Sequence, residues 1–124
     1  MSDHPIITVV DDDEAVRTAL ESLIRSLGLR ASTFASADAF LNSERVHDTS
    51  CLITDIQMPG VSGIELQARL RAQGNMVPMI FITAFPEERI RRKAMAAGAV
   101  GFLSKPFDGS AIIDCIDRAL GAPA

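Results

Sequence analysis

Five short, mostly apolar runs, each followed by apolar residues at helical spacing, constrain this chain more than any other feature. Residues 6–10 are apolar except for Thr8. Val16, Leu20, Leu23, Ile24 and Leu27 then recur at helical intervals, and Gly28 stops that helix. Residues 30–34 are mixed in polarity, which fits an edge strand. Ser36 is placed to cap a second helix carrying Ala37, Phe40 and Leu41 on one face. Residues 51–54 form another apolar run, Pro59-Gly60 and Gly63 mark a loop, and Leu66 and Leu70 follow at helical spacing. Residues 79–82 are a further strand, Pro86 fits the first turn of a helix reaching about Ala97, and Gly98 closes it. Residues 99–103 complete the strands, and Ile112, Ile116 and Leu120 lie on one face of a last helix. Continuous apolar strands separated by amphipathic helices need a sheet covered on both faces, which means parallel strands in a doubly wound α/β fold. The order 2-1-3-4-5 puts the polar second strand at an edge. It also places a ligand crevice beyond the carboxyl ends of strands one and three, where the winding reverses.

Composition narrows the classes. A length of 124 residues holds one domain, with a core from about 6 to 120, and 48% hydrophobic residues exclude disorder. A net charge of −4 argues against direct nucleic-acid binding, because a phosphate backbone calls for a basic surface. No apolar run approaches the ~20 residues that span a bilayer, and the N-terminus lacks a signal pattern, so no membrane contact and a cytoplasmic location are expected. Cys51 and Cys115 sit within apolar runs and read as buried, reduced thiols. His4 and His47 are isolated and polar-flanked, with no second ligand at zinc spacing, and read as surface residues.

The chemistry gathers at the strand ends. Strand one ends in Asp11-Asp12-Asp13 and strand three in Asp55. Adjacent strands lie ~4.8 Å apart, so these carboxylates converge. Like charges ~4 Å apart repel by about 4 kcal/mol at an effective dielectric near 20. One Asp of the run can cap the following helix, but three exceed that need. A divalent cation offsets the rest, and oxygen donors favour Mg²⁺ over zinc. Strand four ends in Thr83, a hydroxyl donor, and strand five in Ser104-Lys105-Pro106, an ammonium. Carboxylates, a cation, a hydroxyl and an ammonium around one crevice form a phosphoryl-transfer constellation.

These residues resemble the receiver domain of bacterial two-component response regulators, over about residues 6–120. The motifs are Val9-Val10-Asp11-Asp12-Asp13, then Thr54-Asp55-Ile56-Gln57-Met58-Pro59-Gly60, Ile82-Thr83-Ala84 and Lys105-Pro106-Phe107. The run from Met58 to Leu66 and the phrase Ala97-Gly98-Ala99 are most similar to receivers of the nitrogen-fixation regulator type. The resemblance implies a flavodoxin-like fold and a single receiver domain over 1–124. It implies that Asp55 accepts a phosphoryl group from a sensor histidine kinase or phosphotransfer protein. It implies Mg²⁺ held by Asp12, Asp55 and the backbone carbonyl of Gln57, with Asp11 acting largely through water. Lys105 would neutralise the acyl phosphate, Thr83 would swing toward it, and Phe102 would be the aromatic that turns inward with Thr83. The Lys105-Pro106 bond is cis in such domains. In the family, the positions two beyond the acceptor and two beyond the threonine flank the path of attacking water. Here they are Gln57 and Phe85, and a bulky Phe85 would exclude water and lengthen the phosphoryl lifetime.

The implied output is a change in partner binding or dimerisation through the fourth helix, fifth strand and fifth helix of the five-unit pattern. The fourth helix carries Arg89, Arg91, Arg92 and Lys93, either a solvated face or a docking surface. Gly121-Ala122-Pro123-Ala124 reads as a tail, with no output domain in this chain. A stand-alone receiver and the receiver of a transcription factor both remain open, the tail's lack of a polar linker favouring the former. Two rivals stand beside the receiver. One is an aspartyl-phosphate phosphohydrolase, whose nucleophile pattern Asp11-Asp12-Asp13-Glu14-Ala15 lacks. The other is a pseudo-receiver that only binds partners.

Overall fold

The three most apolar runs form the middle of a parallel sheet. The computed structural model describes residues 5–121. Its strands are β1 (Ile6–Val10), β2 (Arg30–Phe34), β3 (Cys51–Asp55), β4 (Met79–Thr83) and β5 (Gly101–Ser104). Its helices are α1 (Glu14–Ser26), α2 (Ala37–Leu41), α3 (Arg45–Asp48), α4 (Gly63–Ala72), α5 (Glu88–Ala96) and α6 (Gly109–Ala119). The strand order is β2-β1-β3-β4-β5, all pairs parallel, as the pattern predicts. Every residue of β1, β3 and β4 is buried, because helices cover both faces. The mixed-polarity β2 lies at an edge.

Alternate strand residues serve opposite faces. Val10, Leu52, Met79 and Phe81 pack with Phe40 of α2, Leu66 and Leu70 of α4 and Ala94 of α5. Ile7, Val9, Cys51, Ile53, Ile80 and Ile82 pack with Leu20 and Ile24 of α1 and with Ile112, Cys115 and Ile116 of α6. Both cysteines are therefore buried and unbridged. Burial pushes the Cys51 thiol up to about 12, with Cys115 adding to the shift.

Local chemistry sets the helix ends. The side chains of Asp13, Ser36, Ser62 and Asp108 each accept a backbone N–H in the first turn of the helix they precede. Several boundaries differ from the sequence pattern. Pro86 lies outside α5, because Glu87 is extended (φ −129°, ψ 133°) and the helix starts at Glu88. Ala99 belongs to the closure of α5, its N–H donating to Ala94 O at 3.0 Å, so β5 starts at Gly101. The second helical segment breaks: Ser43 Oγ donates to Phe40 O and accepts the Arg45 N–H, starting α3. Leu27 is 37% exposed, because α1 ends at Ser26; Leu29, beyond the turn at Gly28, packs against the α1–α6 core instead. His47 is exposed, and His4 lies outside the described residues.

Candidate functional site

Parallel strands deliver all their carboxyl ends to one edge of the sheet, and the acidic residues meet there. Asp11 directly follows β1 and Asp55 ends the adjacent β3. One carboxylate oxygen from each of Asp11, Asp12 and Asp55 lies within 4.8 Å of the others. Asp11 is fully buried, Asp55 is 6% exposed and Asp12 is exposed. Lys105, just beyond β5, donates from Nζ to Asp55 Oδ2 at 3.0 Å. The same Nζ lies 3.1 Å from Asp11 Oδ2 as an ion pair without hydrogen-bond alignment, so that buried oxygen lacks a hydrogen-bond partner among the described residues.

The electrostatics follow from a cluster of three carboxylates, two of which pair with one ammonium. Burial raises the Asp11 carboxyl above its ordinary value, outweighing the Asp13 N–H and Lys105, which pull it down. Burial would lower the Lys105 ammonium, but its contacts with Asp55 and Asp11 win and raise it. Lys105 therefore stays charged. A compact, under-neutralised set of oxygen donors with one orphaned buried atom fits a hard divalent cation such as Mg²⁺.

Close backbone packing shapes the far wall. Gln57 N–H donates to Asp55 Oδ1 at 3.3 Å, turning the loop back over the carboxylate. Gly63 opens α4, and its N–H reaches Ile56 O at 2.8 Å. A Cβ at position 63 would collide with the Asp55 carbonyl oxygen. The sequence marks Gly63 only as a loop residue, since a tertiary close approach leaves no local signature.

The remaining expected residues fall on the same edge with different degrees of contact. Thr83 is buried at the end of β4, opposite Ser104. Its Oγ1 accepts the Phe85 N–H at 3.1 Å, and its carbonyl accepts the Lys105 N–H at 2.8 Å. The Lys105–Pro106 peptide is cis. Phe102 lies two residues back from the strand end, half-buried beside Phe81 with ring centroids 6.3 Å apart. Thr83 and Phe81 alternate onto one face of β4, so threonine and aromatic share the side covered by α4 and α5. The Phe85 ring is 67% exposed. Beside Lys105, a cleft of about 450 Å³ is lined by Ala15, Val16, Ala19, Pro106 and Phe107.

A contact with no local signature in the sequence joins α1 to the acidic loop: Arg17 Nη1 donates to the Asp11 carbonyl at 2.7 Å.

Comparison with known proteins agrees with this geometry. The family described as "Response regulator receiver domain" matches residues 7–117. The response regulator protein TmoT of Ectopseudomonas mendocina is 44% identical over 115 residues, covering 93% of this chain and 52% of TmoT. The transcriptional regulatory protein FixJ of Azorhizobium caulinodans is 42% identical over 118 residues, covering 95% of this chain and 56% of FixJ. The crystal structure of FixJ-N superposes with a TM-score of 0.84 at 36% identity, covering 100% of this chain and 98% of that one. The chain belongs to the response regulator receiver domain family, and so to the phosphoacceptor domains of two-component systems. It spans about half the length of the curated relatives it matches. Among the described residues, no helix is long and apolar enough to cross a membrane.

Proposed function

We propose that Asp55 is the phosphoacceptor of a single receiver unit and that the edge around it is the reaction site. The observation that carries this reading is the meeting of Asp11, Asp12 and Asp55 within 4.8 Å, with Lys105 Nζ 3.0 Å from Asp55 Oδ2. An Asp55 carboxylate oxygen attacks the phosphorus of a phosphohistidine. The P–N bond breaks, its electron pair returns to the imidazole, and a P–O bond forms to give an acyl phosphate. Lys105 is already at the acceptor and balances the added negative charge. Asp12, Asp55 and the Gln57 carbonyl would hold Mg²⁺, with Asp11 contributing through water. Bound there, the ion neutralises phosphoryl oxygens.

The apolar cleft beside Lys105 gives a partner carrying the phosphohistidine a surface next to the acceptor. Thr83 is proposed to give up its Phe85 contact and donate to the phosphoryl group, with Phe102 following on the same face. That movement would alter the surface formed by α5, β5 and α6, where a partner or a second copy binds. In α5, Arg91 and Arg92 both pair with Glu88, so this face is less basic than its sequence reads. The similarity to the transcriptional regulatory protein FixJ over about half of its length supports a receiver that governs a transcriptional output.

The test is intact-mass measurement after incubation with acetyl phosphate and Mg²⁺. The parent gains one phosphoryl group and Asp55→Asn gains none. Many turnovers would indicate the phosphohydrolase, and no modification of the parent the pseudo-receiver.

A further inference from the structure

Asp12 is the exposed member of the acidic cluster, and among the described residues no hydrogen bond holds its side chain directly. Its direction is set by the backbone on either side. The peptide before it presents the Asp11 carbonyl, which accepts the 2.7 Å hydrogen bond from Arg17 Nη1. The peptide after it presents the Asp13 N–H, which donates to Asp11 Oδ1 at 2.9 Å. Both peptide planes flanking Asp12 are therefore fixed, one by a guanidinium and the other by a buried carboxylate. Arg17 also bonds to this loop through its own N–H, which reaches Asp13 O at 3.1 Å. The residue is half-buried, one turn into α1; its N–H bond is the ordinary first-turn helix bond, and the guanidinium contact is what its side chain adds.

We infer that Arg17 is a positioning residue for the cation site: its guanidinium locks the Asp11–Asp12 peptide and so aims the Asp12 carboxylate at the ion. The inference rests on the reading of these carboxylates as a cation site. Two effects of Arg17 have opposite signs, which makes it testable. As a bystander positive charge, Arg17 repels a cation, and its removal tightens binding. As a brace, it holds a ligand in place, and its removal weakens binding. Loss of a group that orients a metal ligand typically costs roughly ten- to a hundredfold in affinity, whereas a partly exposed charge near the site acts through screened solvent. The brace is the larger effect.

The experiment titrates Mn²⁺ as a paramagnetic probe into the parent, Arg17→Met and Arg17→Gln by electron paramagnetic resonance, with melting temperatures from circular dichroism. Two variants of different polarity are used so that a folding defect in one leaves the other to be read. The expected result is weaker Mn²⁺ binding by roughly ten- to a hundredfold in a variant that remains folded at the titration temperature. Unchanged or tighter binding overturns the positioning role, and a lower melting temperature with unchanged affinity assigns Arg17 to stability alone. The cation-site reading has its own control. If the parent binds no Mn²⁺, or Asp12→Ala binds it as the parent does, that reading fails first; if the parent binds and only the Arg17 variants match it, the inference fails alone.

Discussion

The middle of the sheet and its carboxyl edge are made by the same strands under opposite rules. In the middle, apolar side chains from both faces are fully buried, and even the one polar residue of β1 is satisfied, Thr8 Oγ1 lying 2.7 Å from Thr49 Oγ1. At the edge, a buried carboxylate oxygen has no hydrogen-bond partner among the described residues, and two of the three clustered carboxylates share one ammonium. Buried polar groups left unpaired cost stability, so natural domains keep them where the chemistry needs them. The middle holds the fold together. The edge spends some of that stability to keep negative oxygens close and under-neutralised.

The largest effect should come from the middle. Ile53 is fully buried on β3, two residues from Asp55 and on the same strand face by alternation. Ile53→Ala is expected to lower unfolding free energy by about 2–5 kcal/mol. The chain has no Trp and no Tyr, so circular dichroism or calorimetry must follow the transition. Below its melting point, the variant should still accept one phosphoryl group, because no charged group at the edge is touched. Loss of acceptance in a folded Ile53→Ala would show that the two regions are not separable.

Gly63→Ala joins the regions. The new Cβ meets the Asp55 carbonyl oxygen, which belongs to β3 and to the edge at once. Overpacking of this kind costs about 1–3 kcal/mol, and the displaced Asp55 backbone should slow phosphorylation by acetyl phosphate. A variant that is destabilised but phosphorylated at the parental rate would place Gly63 with the core alone.

Much of this division was readable in the sequence because it follows period and composition. The buried strands, the strand order, the Ser36 cap, a cap from one Asp of the 11–13 run and the convergence of Asp11, Asp12 and Asp55 all come from local pattern plus the geometry of a parallel sheet. The errors came where a tertiary hydrogen bond or a single turn decides the outcome. Ala99 has the composition of a strand, yet its N–H is taken by Ala94. Leu27 continues the apolar period of α1, yet the helix has ended. Pro86 could open a helix, but Glu87 stays extended. Gly63 and Arg17 escaped for a different reason. Their importance lies in atoms brought close by the fold, and neither residue type announces that.

A smaller effect is expected at Phe85. Its ring is two-thirds exposed in this state, while its N–H is tied to Thr83 Oγ1. If Thr83 turns toward a phosphoryl group, that tie is released and the ring is free to cover the acceptor. Phe85→Ala should then shorten the lifetime of phosphorylated Asp55, read as decay of the phosphorylated mass after acetyl phosphate is removed. Decay no faster than in the parent would count against a water-excluding role.

The smallest effect tests whether charge at the edge differs from charge just outside it. Glu88 opens α5, and hydrogen bonds from Arg91 and Arg92 pull its carboxyl down to about 2 from an ordinary 4.5. A folded-state value below the unfolded one gives stability that is present above the unfolded pKa and is lost as pH falls through the folded one. The relevant window therefore runs from about 4.5 down to about 2. Glu88 and both its arginine partners are exposed, so water and salt screen these pairs and the contribution is small. Glu88→Gln should melt slightly below the parent at neutral pH and low salt. The gap should close on acidification through that window or on adding salt. A gap that persists in high salt would mean that Glu88 acts through α5's first turn rather than through its ion pairs. In that case the contrast between a costly buried cluster and an inexpensive exposed one would have to be redrawn as a difference in backbone order.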